Sequence, residues 1–191
     1  MDEPTHPSSG DQEVSRPPTW DDLKRLCAEL NRVGARYVVV GGWAIIKHGY
    51  PRFTTDIDLL IDPALENEAR VFEALRSLPD KAVNQLEPGD VEKFVVVRVS
   101  DEVLVDLMKS GGGVDYAEAI RDAVVHELDG TMIPFASPQT MWRMKQTVRD
   151  KDRSDRMFLQ QLLESEGIQV AMPEPESPLV RWLKKLFGKT Q

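Results

Sequence analysis

Val40-Gly41-Gly42-Trp43-Ala44-Ile45-Ile46-Lys47-His48-Gly49-Tyr50-Pro51-Arg52-Phe53-Thr54-Thr55-Asp56-Ile57-Asp58-Leu59-Leu60-Ile61 is the stretch whose reading decides the fold. It closes a β-branched run over 37–40 with two glycines, continues as a short helical pattern over 43–48, breaks at Gly49-Tyr50-Pro51 and enters a second strand at Asp56. In a strand, residues two apart point to the same side, so Asp56 and Asp58 project together while Ile57 points away. Two carboxylates set side by side among Leu59, Leu60 and Ile61 repel each other unless a cation or a shared proton neutralises them, and hard oxygen donors suit magnesium. Residues without a Cβ at Gly41 and Gly42 let backbone N–H groups approach a phosphate closely, aided by the positive end of the helix that follows.

Upstream of this stretch, Leu23, Leu26, Cys27 and Leu30 recur at helical spacing behind Thr19, a good N-cap, and the helix is predicted to end before Gly34. Downstream, a helix is predicted from Pro63 to about Leu78, a strand over 94–99 and another over 103–107, the last two close enough for a hairpin. A short helix over 115–123, strands over 124–128 and 132–135 separated by Asp129-Gly130, a helix over 138–149 capped by Ser137-Pro138, and a further helix ending near Glu166 complete the pattern. The order predicts an α/β chain of the α+β type, with a small mixed sheet flanked by helices and a helical C-terminal part over 138–167.

Asp106 follows Val103-Leu104-Val105 near the end of a predicted neighbouring strand, so three acids can converge at one sheet end; the alternative is that Asp106 caps the turn toward Gly111-Gly112-Gly113. Phosphoryl and nucleotidyl transfer need such an arrangement, because two metals roughly 3.5–4 Å apart hold the attacking and leaving oxygens while spreading the developing charge. On this reading Asp56 and Asp58 ligate the metals, and Asp106 ligates the one beside the attacking hydroxyl.

Val40-Gly41-Gly42, thirteen residues, then Asp56-Ile57-Asp58-Leu59 resembles the signature of the DNA polymerase β-like nucleotidyltransferase superfamily. The stretch from His48 through Asp56 is similar to AbiEii-type bacterial nucleotidyltransferases, several of which act as toxins of toxin–antitoxin pairs. The resemblance spans about residues 36–164. It implies a nucleotidyltransferase fold, ATP or another NTP as substrate, two Mg2+ ions on Asp56, Asp58 and Asp106, and phosphate contacts from Gly41, Gly42 and Thr55. Lys145, Arg149 and Asp152 fall at i, i+4 and i+7, one face of a continuous helix, although Asp150-Lys151 can break or bend it. Lys-x-x-x-Arg-x-Lys-Asp also resembles the group's late motif, in which the cations meet the nucleotide's phosphates and the Asp orients them or assists proton removal. Arg52 and Asp152 are secondary candidates for the pocket.

Composition narrows the partners. A net charge of −8 opposes nonspecific binding to a polyanion, so a tRNA acceptor requires a local basic patch, for which Arg143, Lys145, Arg149, Lys151, Arg153 and Arg156 are the candidates. The acceptor is left open among tRNA, a protein and a small molecule, and an antitoxin partner follows from the resemblance alone. A single Cys, no secretory signal and no apolar run long enough for a bilayer point to a cytoplasmic enzyme. The rival expectation is an inactive nucleotide-binding or protein-interaction module on the same fold. Residues 1–18 read as a disordered leader, 19–167 as the domain, and 168–191 as a linker and an amphipathic C-terminal helix for contact with the domain, a partner or a membrane surface.

Overall fold

The computed structural model describes residues 15–146 and 151–170, with the backbone alone at Lys151. The expected leader therefore lies outside the described residues up to Val14, and the C-terminal amphipathic segment lies outside them as well. Of the leader's last residues, Ser15 Oγ donates to the Asp101 carbonyl at 2.6 Å, and Arg16 pairs with Asp22 at 2.6 Å and with Glu102 at 2.7 Å.

Helix α1 (Trp20–Arg32) opens on a capping box in which the Thr19 hydroxyl accepts from the Asp22 N–H and the Asp22 carboxylate accepts from the Thr19 N–H, satisfying two backbone donors that the first turn leaves over. Its apolar stripe, Leu23, Leu26, Cys27 and Leu30, is fully buried; each such leucine contributes roughly 1.5–3 kcal/mol. Burial pushes the Cys27 thiol up to about 12, so it is an inert core residue. Strand β1 (Tyr37–Val39), helix α2 (Gly41–Lys47) and strand β2 (Asp56–Ile61) follow as the sequence predicts. After α2, His48 Nε2–H donates to the Ala136 carbonyl at 2.7 Å, a structural use of the ring.

Helix α3 (Leu65–Leu75) leads through a 3-10 turn (Ala82–Gln85) and a single-turn helix α4 (Asp90–Lys93) that the apolar pattern did not reveal. Both are tied down by buried acids that accept backbone N–H groups. Glu68 receives those of Gly89 and Val91, and Asp101 receives those of Asp80, Ala82 and Glu102. Strands β3 (Val97–Ser100) and β4 (Leu104–Met108) form the expected hairpin. The strand predicted over 94–99 starts late, because the ladder begins at Val97 opposite Leu107, and Phe94, Val95 and Val96 stay exposed.

A two-residue pair, β5 (Ser110–Gly111) and β6 (Val114–Asp115), then seats the glycine run against the next helical part. A Cβ on Gly112 would lie 2.6 Å from Met144 Cα, so this run is a packed hairpin. Helix α5 (Tyr116–Asp122), strands β7 (Val124–Leu128) and β8 (Thr131–Phe135), helix α6 (Pro138–Met144) and helix α7 (Lys151–Ser165) complete the described chain.

The six-stranded sheet runs β3-β4-β2-β1-β8-β7 and is mixed, with β2 parallel to β4 and β1 parallel to β8. Helix α1 packs on α3 and β8, α5 on β1, α2 on β2 and α6, and α6 on α7. This is the expected small mixed sheet flanked by helices. Among the described residues no helix is long and apolar enough to cross a membrane.

A three-carboxylate cleft as candidate active site

Register builds the site. Arg98 on β3 pairs with Asp106 on β4, and Asp106 pairs with Asp58 on β2, so one row of side chains crosses three adjacent strands on one face of the sheet. Asp56 joins them from two residues earlier on β2, and one oxygen of each of Asp56, Asp58 and Asp106 lies within 4.8 Å of the others. Asp106 faces its neighbours in the row and does not cap the turn toward the glycines. Arg98 is new relative to the sequence reading. Its Nε donates to Asp106 Oδ1 at 2.8 Å, its Nη2 to Asp106 Oδ2 at 2.7 Å, and the same Nη2 lies 3.9 Å from Asp56. The guanidinium is thereby held firmly in its charged form by Asp106.

The glycine turn abuts this row. Gly41 sits at φ +62°, and a Cβ there would fall 1.8 Å from Asp58 Oδ2; a Cβ on Gly42 would fall 2.3 Å from Thr54 Oγ1. The missing side chains therefore make room for protein groups, a use the sequence reading did not anticipate for a turn expected to meet phosphate. The Gly42 N–H favours the ionised form of Asp58. Even so, burial, and after it the charges of Asp56 and Asp106, push the Asp58 carboxyl up to about 6, against the opposing pull of Lys145 and the Gly42 N–H. Thr55 is exposed, whereas Thr54 is buried, lines the cleft and donates to Asp56 Oδ1 at 3.3 Å. Thr54 is thus a hydroxyl beside the acids that the sequence reading did not name.

Lys145, Arg149 and Asp152 do not share one helix. Helix α6 ends with Lys145 as its C-cap, and α7 is described from Lys151 onward. Arg149 lies outside the described residues. Lys145 and Asp152 nevertheless meet across the break: Lys145 Nζ stands 2.9 Å from Asp152 and 3.0 Å from Asp155, both buried. Arg52 pairs with Asp155 at 2.5 Å, Arg156 Nη1 donates to the Lys145 carbonyl at 3.0 Å, and Tyr50 stacks on Phe158. These contacts fasten α7 to the loop between α2 and β2, which borders the acids. Removing one partner from a buried ion cluster leaves charge uncompensated, so Lys145→Met is expected to cost about 3 kcal/mol. Urea denaturation reads this directly, and a loss under ~1 kcal/mol would show that water replaces the ammonium at little cost.

The three acids, Gly41, Gly42, Thr54, Arg52, Arg98 and Lys145 line one cleft of about 370 Å3. A roomier and more open cavity of about 650 Å3 lies beside α1, but its charges are already matched within the fold, Arg16 with Asp22 and Lys24 with Asp129. Of the cations considered for a basic patch, Arg143 pairs with Glu118 at 3.0 Å, Lys145 is held by the two buried acids, and Arg153 is exposed.

Fold and site together define a mixed α/β protein whose sheet end gathers three carboxylates behind a glycine turn, facing two arginines and a lysine. No family model matches the chain, and no curated protein matches it. Among solved structures, one of a provisionally named nucleotidyltransferase from Thermotoga maritima overlaps 93% of this chain and 99% of its own, at 16% identity and a TM-score of 0.45. An overlap that loose transfers no residue role from one protein to the other.

Proposed function

We propose that the protein is a magnesium-dependent nucleotidyltransferase, moving a nucleoside monophosphate from an NTP to an acceptor hydroxyl with release of pyrophosphate. The observation that carries the reading is the convergence of Asp56, Asp58 and Asp106 within 4.8 Å on neighbouring strands. The donor set fits a hard divalent cation. All three ligands are carboxylate oxygens, the glycine turn leaves Asp58 room to face its partners, and the Asp58 carboxyl is raised first by burial and then by Asp56 and Asp106, a charge that a bound cation would offset.

Asp56, Asp58 and Asp106 would hold Mg2+, in two sites as nucleotidyl transfer requires. When bound, magnesium supplies charge neutralisation at the reacting phosphate and eases ionisation of the acceptor hydroxyl. Thr54 steadies the Asp56 carboxylate, and the Gly42 N–H steadies Asp58. Arg52, held by Asp155, and Lys145, held by Asp152 and Asp155, line the same cleft and add positive charge to it. Gly41 shapes the floor, and Arg149 and Thr55 remain candidates for contacts at the rim.

The acceptor is a hydroxyl of a tRNA, a protein or a small molecule. The AbiEii-like residue pattern extends the reading to a toxin whose partner is an antitoxin, acting in the cytoplasm. The rival reading, a module that binds nucleotide without transfer, draws on Arg98, which already neutralises Asp106. Purified protein incubated with each α-labelled NTP, Mg2+ and cell extract is expected to label one species, and Asp56→Ala is expected to abolish the label. Nucleotide binding with no labelled product from any of the four NTPs would favour the rival. Equal growth of cells expressing wild-type and Asp58→Ala protein at matched levels would sink the toxin extension alone.

A further inference from the structure

We infer that Arg98 is an exchangeable counter-ion, holding the carboxylates while the metal is absent and turning to the triphosphate when metal takes its place. The inference rests on the metal-dependent reading of the cleft and adds a residue and an order of events to it.

Arg98 engages both oxygens of Asp106 and approaches Asp56, so the guanidinium sits among the donors an incoming cation needs. A dication and a guanidinium cannot share those oxygens without strong like-charge repulsion at such distances. The arginine is free to leave. Its side chain is 54% exposed, and its strand is anchored by the buried Val97 and Val99 on the opposite face, so the guanidinium can swing without unpairing β3 from β4.

Where it goes follows from the other cations. Among the described residues that line the cleft, Arg52 is committed to Asp155, and Lys145 to Asp152 and Asp155, acids outside the three-carboxylate cluster. Arg98 alone of these three is paired with the carboxylates a metal would claim. Metal binding therefore releases a planar two-pronged donor into the cleft, and the fork that fits a carboxylate bidentately also fits two phosphate oxygens. One residue would thus keep the empty site from standing as three unpaired carboxylates and supply a phosphate contact once the site is loaded.

The test separates the two halves by sign. Full-length wild type, Arg98→Met and Arg98→Lys, stripped of metal, are titrated calorimetrically with Mn2+ alone, then at saturating Mn2+ with inorganic tripolyphosphate. Arg98→Met is expected to bind Mn2+ about five- to tenfold more tightly, the worth of a half-exposed ion pair, and tripolyphosphate about tenfold more weakly. Arg98→Lys, which keeps the charge and loses the fork, is expected between the two on tripolyphosphate. An arginine that merely pins β3 to β4 would lower the melting temperature and weaken both ligands together, which overturns the inference. Wild type that binds Mn2+ with an affinity Arg98→Met leaves unchanged, or unchanged tripolyphosphate binding, also overturns it while the metal reading stands. Absence of Mn2+ binding in both wild type and Arg98→Met defeats the metal reading, and the exchange with it.

Discussion

Asp58→Asn is expected to make the metal-free protein more stable at pH 7.5 while lowering nucleotidyl transfer roughly a thousandfold, the several kcal/mol of charge stabilisation that a lost metal ligand represents. Both effects have one origin. The Asp58 carboxyl is raised from the ordinary carboxylate range to about 6, first by burial and then by Asp56 and Asp106. Because the folded protein holds this proton more tightly than the unfolded chain, the contribution to stability is complete below about pH 4. It is lost as pH rises through about 6, where the ionised group must be carried folded.

The loss is about 2 kcal/mol on the scale of 1.36 kcal/mol per pKa unit, discounted for partial solvent access. Asparagine keeps the shape and the acceptor for the Gly42 N–H but carries no charge, so the difference between the two proteins should open between pH 4 and 6.5 and stay open above it. Thermal melts in EDTA across that range check the sign, and Mg2+ added at pH 7.5 is expected to raise the wild-type midpoint only. Coincident wild-type and Asp58→Asn curves at every pH would mean that Asp58 carries its charge in the fold at no cost, against both its burial and its acidic neighbours.

The same carboxylates mark how far the sequence could be read. Asp-x-Asp on a strand is a local pattern, and period two alone puts both acids on one side. Asp106 required only that a later strand lie beside the first, which the β-branched run before it suggested. Arg98 needed the register, because nothing within Val97-Arg98-Val99 says that position 98 stands opposite 106; the legible signal was the alternation that put an arginine on the polar side of an edge strand. Thr54 against Thr55 turned on where the chain enters β2, a matter of one residue that composition does not set. The break between α6 and α7 was foreseeable in the charged run, but the meeting of Lys145 with Asp152 and Asp155 across it comes from α7 docking on Tyr50 and Arg52, a tertiary contact with no local signature. The 3-10 turn and α4 were invisible because buried Glu68 and Asp101, and no apolar period, hold them.

Gly41→Ala is expected to destabilise the protein by about 2–5 kcal/mol and to abolish Mn2+ binding. Two costs add. The residue lies in the left-handed region at φ +62°, where a Cβ costs about 1–2 kcal/mol, and the added methyl would overlap Asp58, 1.8 Å from Oδ2 and 2.5 Å from Cγ, an overpacking of about 1–3 kcal/mol. Relief by rotating Asp58 away gives up the Gly42 N–H and pulls one ligand out of the cluster, so metal binding fails by either route. Gly113 isolates the first cost, since it has φ +78° and nothing within 4 Å of the place a methyl would take; Gly113→Ala is expected to lose only the backbone contribution. Asp58→Ala probes the second, because in the Gly41→Ala background it removes the two atoms the methyl strikes hardest, Oδ2 and Cγ, and leaves only Cβ at 2.9 Å. The double variant should recover about 1–3 kcal/mol relative to Gly41→Ala, a coupling that a double-mutant cycle reads from urea midpoints. Strict additivity of the two substitutions would show that the glycine serves the backbone alone, and that the carboxylate does not lean on the turn.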